Sequence, residues 1–104
     1  MNMEQSLSDI EKSFEESKAM RLMAKHRWDA AKGVYHMRLV AEREAGRKLT
    51  MADIKALKDS SIDTDPDVKE AYLSFISADS NYRAAKTEFD NAVRSYWDSK
   101  GQRI

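Results

Sequence analysis

The feature that most constrains this chain is a run from Val68 to Tyr96 in which large residues and alanines alternate at steps of three and four. The large set is Val68, Phe75, Tyr82, Phe89 and Tyr96, and the small set is Ala71, Ala78, Ala85 and Ala92. Such steps place side chains on one face of an α-helix, and the repeat of seven is typical of a helix packed along another helix. Rings can lie over the alanines of the facing helix, so the two backbones can approach closely. The run predicts a helix built to pack against a helix.

The same pattern occurs in the first half of the chain. Its members are Leu7, Ile10, Phe14, Ser17, Arg21, Ala24, Trp28, Ala31 and Tyr35, with large residues mostly at one position and small ones mostly at the other. Arg21 interrupts the series, which fades at Arg38 and Glu42. Ser8 and Glu11 form a capping-box pattern, and Gly46 is a typical helix end. We predict a first helix over residues 6–45.

The middle of the chain predicts a compact connector. Thr50 and Asp53 form a second capping box before a short helix over residues 51–58, and Ile54 should face inward. Residues 58–64 are polar and rich in turn formers. Asp65 and Pro66 suit the N-cap and first position of a last helix over residues 66–99.

These elements predict one all-α domain of 104 residues, a long antiparallel helical hairpin with a short connecting helix. Trp28 should lie near Tyr82, and Phe14 near Tyr96. A hairpin covers one stripe of each helix, and further apolar residues remain on the flanks. On the first helix these are Met20, Met23, Ala30, Val34, Met37 and Ala41, and on the last helix Leu73, Ile76, Val93 and Trp97. We therefore expect a homodimer that forms a helical bundle.

The composition excludes several classes of protein. The absence of cysteine excludes a disulfide scaffold, and no stretch is apolar enough to span a membrane or to act as a signal peptide, so a cytoplasmic protein is expected. The net charge is zero, but residues 18–48 carry nine bases against three acids. In a hairpin, Arg43, Arg47 and Lys48 should lie near the acidic residues of the turn at 59–67.

The sequence contains few of the residues and motifs that catalysis requires. No glycine-rich phosphate loop or nucleophile motif occurs. His26 and His36 lie about 15 Å apart along one helix, too far to share a metal ion. The sequence therefore predicts no enzyme, no catalytic residue, no cofactor, no metal and no small-molecule substrate.

Two functions remain, and contact with protein is the preferred one. An apolar strip of Met20, Met23, Val34 and Met37, edged by Arg27 and Arg38, predicts a surface for a partner protein in addition to self-association. The small, neutral chain resembles the accessory or adaptor proteins of bacteria and phages. The alternative is a nucleic-acid-binding accessory protein. Its candidate contacts in the basic segment 18–48 are Lys18, Arg21, Lys25 and Lys32.

Overall fold

A computed structural model describes the backbone of residues 3–101 and the side chains of residues 6–101. The described chain is helical without a strand: α1 is Met3–Glu44, α2 Met51–Asp59, α3 Ser61–Thr64 and α4 Pro66–Ser99. The contacts between α1 and α4 run antiparallel, because higher residue numbers on α1 meet lower numbers on α4. The predicted all-α helical hairpin is confirmed.

Gly46, two residues after the last residue of α1, explains why the helix ends there. Gly46 has a φ of 107°, which an L side chain rarely adopts. The N–H of Gly46 donates to the carbonyl of Arg43 at 3.1 Å, and the N–H of Arg47 donates to the carbonyl of Glu42 at 3.0 Å. These two bonds form a Schellman motif, which satisfies carbonyls that a helix end otherwise leaves free.

The predicted start of α1 is wrong. The backbone is already helical at Met3, so Ser8 lies inside the helix and does not cap it. A serine and a glutamate three residues apart are equally compatible with a helix interior, where the side chains of both are exposed.

The connector contains two short helices, α2 and α3. The N–H of Asp53 donates to Oγ1 of Thr50 at 3.1 Å, and the N–H of Thr50 donates to Oδ2 of Asp53 at 2.9 Å, which confirms the predicted capping box. The segment expected to be a polar turn contains the short helix α3 instead. The hydroxyl of Ser61 donates to the carbonyl of Lys58 at 2.6 Å, so this buried serine is satisfied locally.

The start of α4 agrees with the sequence. Oδ2 of Asp65 accepts a hydrogen bond from the N–H of Val68 at 3.0 Å, so Asp65 is the N-cap and Pro66 the first helical residue. Oδ1 of the same carboxylate lies 3.3 Å from Nη1 of Arg38. Only 7% of the Asp65 side chain is exposed, so its two oxygens serve the cap and the ion pair from a buried position.

Residue contacts divide the chain into two compact units. Unit 1 joins the chain up to Leu22 with the chain from Ser77 onward, and unit 2 is Met23–Ile76. In unit 1, the ring of Phe14 stacks on Tyr82 and Phe89, with centroids 5.6 and 5.1 Å apart. Phe14 therefore lies across from Ala85, the alanine between those two rings. We call the two alternating series, Leu7 to Tyr35 on α1 and Val68 to Tyr96 on α4, the seam, and a ring packed over an alanine is the contact that the seam predicts.

Unit 2 holds the most buried part of the described chain. Leu39, Ile54, Val68 and Ala71 are at most 4% exposed, and they come from the end of α1, from α2 and from the first turns of α4. The Trp28 ring packs against Tyr72 and Phe75 at 4.9 and 5.4 Å. Burial of Ile54 agrees with the sequence, whereas Leu39 was not expected, since it lies one residue beyond the seam position of Arg38.

The register predicted from the sequence is wrong by one heptad. Phe14 meets Phe89 rather than Tyr96 in unit 1, and Trp28 meets Phe75 rather than Tyr82 in unit 2. A seam that repeats every seven residues packs equally well after a shift of seven, so apolar pattern alone cannot choose the register. Charge can choose it, since Arg21 pairs with Asp79 and the residue one heptad beyond Asp79 is Lys86. The predicted register would have placed two cations together.

Candidate protein-binding surface

One flank of α1 in unit 2 carries a row of exposed apolar side chains. Met23, Val34 and Met37 are 71%, 60% and 66% exposed, and Ala30 lies exposed among them. We call these four residues the exposed strip. They recur at steps of three, four and seven, so they share one helix face beside the seam rather than in it. Met20, predicted as part of the same surface, is 63% exposed and belongs to unit 1.

The strip is exposed because a hairpin partner covers only one stripe of a helix. On α1, the seam residues Trp28, Ala31 and Tyr35 are half-buried, while the flank is not. Flexible thioethers on such a flank can adapt to a partner surface. Apolar residues of α4 in unit 2 also remain exposed, at 55% for Leu73 and 45% for Ile76.

The charges beside the strip are partly neutralised. Nη2 of Arg27 lies 3.3 Å from Oε1 of Glu70, and the two side chains are 59% and 70% exposed. An exposed pair of this kind contributes little to stability. Arg27 and Glu70 are therefore free to exchange partners when another surface approaches.

Arg38, predicted to edge the strip, is half exposed and also contacts the N-cap of α4 and its own helix. Its guanidinium pairs with the buried carboxylate of Asp65, and its Cζ lies 6.0 Å from the centroid of the Tyr35 ring. A buried carboxylate needs such a cation, because an unpaired charge in that position would be costly. Arg38 thus belongs to the packing of unit 2.

The basic residues proposed for nucleic acid separate into two kinds. Lys18 and Lys25 are exposed. Nε of Arg21 lies 2.6 Å from Oδ1 of Asp79, and Nζ of Lys32 lies 3.4 Å from Oδ1 of Asp29 and 4.3 Å from the centroid of the Trp28 ring. Two of the four candidates are therefore committed to contacts within their own unit.

The acidic turn also pairs differently from the prediction. Among the described residues, the ion pairs of this region join Arg38 to Asp65 and Arg47 to Glu42. Nη1 of Arg43 lies 2.9 Å from Sδ of Met51. In the part of the chain that the structure describes, Arg43 and Arg47 make these local contacts instead of pairing with the turn acids, and Lys48 makes no ion pair with those acids.

The side chains whose pKa values are shifted lie in packing contacts. The hydrogen bond from Arg21 lowers the pKa of Asp79, and the charge of Arg83, whose Nε lies 2.9 Å from Oδ2, lowers it further. The backbone and hydroxyl of Thr50 lower the pKa of Asp53. The side chain of Asp90 raises the pKa of Lys86. Each of these groups is paired within a helix, a cap or the seam.

Two cavities are lined by residues of unit 1. One of about 320 Å³ is lined by Glu15, Lys18, Ala19, Arg21 and Leu22, all of α1. A second, of about 160 Å³, is lined by Ser6, Leu7, Ile10, Ala92 and Ser95. Within the described range, no group of three or more acidic, histidine or cysteine side chains is arranged to hold a metal ion. None of its helices combines the length and apolarity needed to cross a bilayer.

Comparison with known proteins adds no relative. No protein-family model matches the chain, and neither a curated protein nor a solved structure is similar to it.

Sequence reasoning did not identify Asp79 and Glu70, the acids that pair with Arg21 and Arg27. Asp79 directly follows the seam alanine Ala78, and Glu70 directly precedes Ala71. The sequence signal for such a pair is a charged residue beside a seam alanine that faces a cation on the other helix. Its use requires the register, which the heptad pattern leaves open.

Proposed function

We propose that this protein acts without catalysis, as a helical adaptor or accessory protein that binds a partner protein through the exposed strip. The observation that carries the proposal is the exposure of Met23, Val34 and Met37, each at least 60% open on one helix face. Contiguous apolar surface of this kind is typical of sites that bind protein. A partner helix laid along the strip would cover positions that recur at three, four and seven residues.

The contrast with the buried residues supports this proposal. The fully packed apolar residues of the described chain are Leu39, Ile54, Val68 and Ala71, and two of these are smaller than methionine. Three large apolar side chains left in water on the same unit represent several kcal/mol of burial that a partner could supply, at about 1.5–3 kcal/mol for each side chain. Association can therefore draw on substantial free energy from this single flank.

The test is a comparison of captured proteins. A tagged parent protein is expected to retain partners from a lysate of the cells that make it, and Met23→Glu with Met37→Glu should remove them without loss of helix content. The matched control is Leu73→Glu with Ile76→Glu, which places the same charge on exposed apolar residues of α4 in unit 2. The proposal is overturned if the strip variant captures the same proteins as the parent, or if the control loses them equally.

Binding of nucleic acid is the alternative function, and oligonucleotides test it. Binding of single- or double-stranded oligonucleotides that weakens steeply with salt and is reduced by Lys18→Glu with Lys25→Glu would replace the protein-binding proposal. These two lysines are the exposed members of the basic set, so their reversal leaves the contacts of Arg21 and Lys32 intact. We expect no such binding at physiological salt.

A further inference from the structure

The buried side chains of the described chain all belong to unit 2. They come from the end of α1, from the connector and from the start of α4, and they are Leu39, Ile54, Ser61, Asp65, Val68 and Ala71. Removal of apolar surface from water supplies most of the free energy that stabilises a folded unit. Unit 2 is therefore the better stabilised part of the hairpin.

The seam of unit 1 is less completely packed. The ring of Phe14 stacks on Tyr82 and Phe89, yet all three rings are only half-buried. In the same unit, the seam residues Leu7 and Ala92 border a cavity of about 160 Å³. Side chains beside a cavity lack contacts on that side, so less dispersion energy holds these two helices together.

An ion pair also replaces an apolar contact in the seam of unit 1. Nε of Arg21 lies 2.6 Å from Oδ1 of Asp79, and the two side chains are 39% and 16% exposed. A partly buried ion pair stabilises a fold less than apolar side chains of similar volume, because both charges lose part of their hydration. The pair therefore specifies the register at a cost in stability, as polar residues do in coiled-coil seams.

From these observations we propose that the helices of unit 1 separate and rejoin reversibly while unit 2 stays folded. Proteins open locally in cooperative units, and units with few buried apolar contacts open at the lowest free energy. The opened state exposes the rings of Phe14, Tyr82 and Phe89, an aromatic surface that the closed seam partly covers. The exposed strip lies entirely in unit 2 and is unchanged by the opening. The inference therefore goes beyond the proposed function and does not depend on it.

Amide hydrogen exchange of the parent protein, followed by NMR, tests the opening, because a helical N–H exchanges when its hydrogen bond opens. Phe14 and Ala85 provide the two unit 1 amides, and Leu39 and Ala71 the two unit 2 amides. Relative to the rates of the unfolded chain, the unit 1 amides should exchange faster by about tenfold or more. Their exchange should also depend less on denaturant, because partial opening exposes less surface. Equal rates and equal denaturant dependence at all four amides would overturn the proposal.

Two variants separate partial opening from global unfolding. Ile54→Val removes a methyl group from the core of unit 2. It should speed exchange of the unit 2 amides several-fold and leave the unit 1 amides unchanged, because unit 1 opens without disturbing that core. Asp79→Asn leaves Arg21 without its charged partner in unit 1. It should speed exchange at all four amides by the same factor, because global unfolding includes the opening of unit 1.

Asp90→Asn is the matched control for Asp79→Asn. Asp90 is an exposed acid of α4 in unit 1 and pairs at 2.9 Å with Lys86 of its own helix, a kind of contact that contributes little to stability. This control should leave all four exchange rates unchanged. The proposal is wrong if Ile54→Val speeds exchange equally at all four amides, because the hairpin then unfolds as a single unit. Asp65→Asn, which weakens the cap of α4, is the second unit 2 variant and should give the same pattern as Ile54→Val.

Discussion

Nε of Arg21 lies 2.6 Å from Oδ1 of Asp79, at the seam position of α1 where a cation stands in a series of large apolar residues. The Arg21 guanidinium also lies 5.3 Å from the centroid of the Tyr82 ring, so it remains part of the aromatic packing of unit 1. A heptad shift would exchange Asp79 for Lys86. The charged residue that interrupts the apolar series thus distinguishes one register from the next, as single polar residues do in coiled coils.

We expect Arg21→Glu and Asp79→Lys each to lower the melting temperature, because each places like charges together in the seam. The double variant, which restores the pair with reversed signs, should recover part of the loss. Thermal unfolding of the four proteins forms a double-mutant cycle that isolates the interaction. Lys25→Glu reverses an exposed charge on the same helix and should change little. Strict additivity of the two substitutions would contradict a role for the pair in setting the register.

The same contact makes stability depend on pH. Arg21, and then Arg83, lower the pKa of Asp79 below its ordinary value of 3.8, so the folded state binds the proton less readily than the unfolded state. Stability from this group is present above the unfolded pKa and is lost as the pH falls through the folded pKa. The melting temperature should therefore decline below about pH 4, near the usual aspartate pKa. Asp79→Asn should start lower and decline less, while the lowered pKa of Asp53 leaves a residual slope.

Asp65 joins the cap of α4 to the end of α1, and its two roles can be separated. Asp65→Ala removes the bond to the N–H of Val68 and leaves Arg38 without its partner, so it should lower the free energy of unfolding by more than the ~1 kcal/mol typical of a lost cap. Asp65→Asn can still cap and should cost less. Urea unfolding measures both. Asp67→Ala changes an exposed acid of the same turn and should cost clearly less than Asp65→Ala.

The seam should respond differently to leucine at its two ends. Ala71 is 1% exposed, so Ala71→Leu should overpack unit 2 and cost about 1–3 kcal/mol. Ala92 borders the cavity of about 160 Å³ in unit 1, next to Leu7 and Ile10, so Ala92→Leu has room and should be neutral or stabilising. Denaturant midpoints of the two variants provide the measurement. Equal losses would mean that the cavity does not accommodate the added methyl groups.

A substitution at the centre of the seam gives an intermediate case. Ala78 and Ala85 are half-buried, and Phe14 lies across from Ala85 between the rings of Tyr82 and Phe89. Ala85→Leu should therefore separate the helices of unit 1 and lower the melting temperature more than Ala92→Leu does. A variant that melts like the parent would mean that Ala85 does not face a ring.

Much of the fold could be predicted because its determinants are local. Capping by Thr50 and Asp65, the stop at Gly46 and the period of the seam each depend on residues within a few positions of one another, and the sequence displays them directly. The start of α1 was predicted wrongly, since Ser8 and Glu11 suit a cap and a helix interior equally. The helix α3 was missed because polar residues that favour turns also tolerate a single helical turn.

The candidate surface was only partly predictable for a different reason. The sequence located the apolar flank that contains Met23, Val34 and Met37, because a helical period separates it from the seam. It could not tell that Arg38 is bound to Asp65, since that depends on which turn of α4 meets the end of α1. It also could not tell which of the four basic candidates are already paired.

The sequence by itself determined the number of long helices, most of their ends and the faces they bring together, because side-chain spacing and caps act over one or two turns. The tertiary structure decided the register, the partners of Arg21 and Arg38, and the burial of Leu39. The physical reason is that a heptad seam has nearly equal packing at every shift of seven residues. Charges and the closure of the connector around Ile54 differ among those shifts, and they act only once the two helices are side by side.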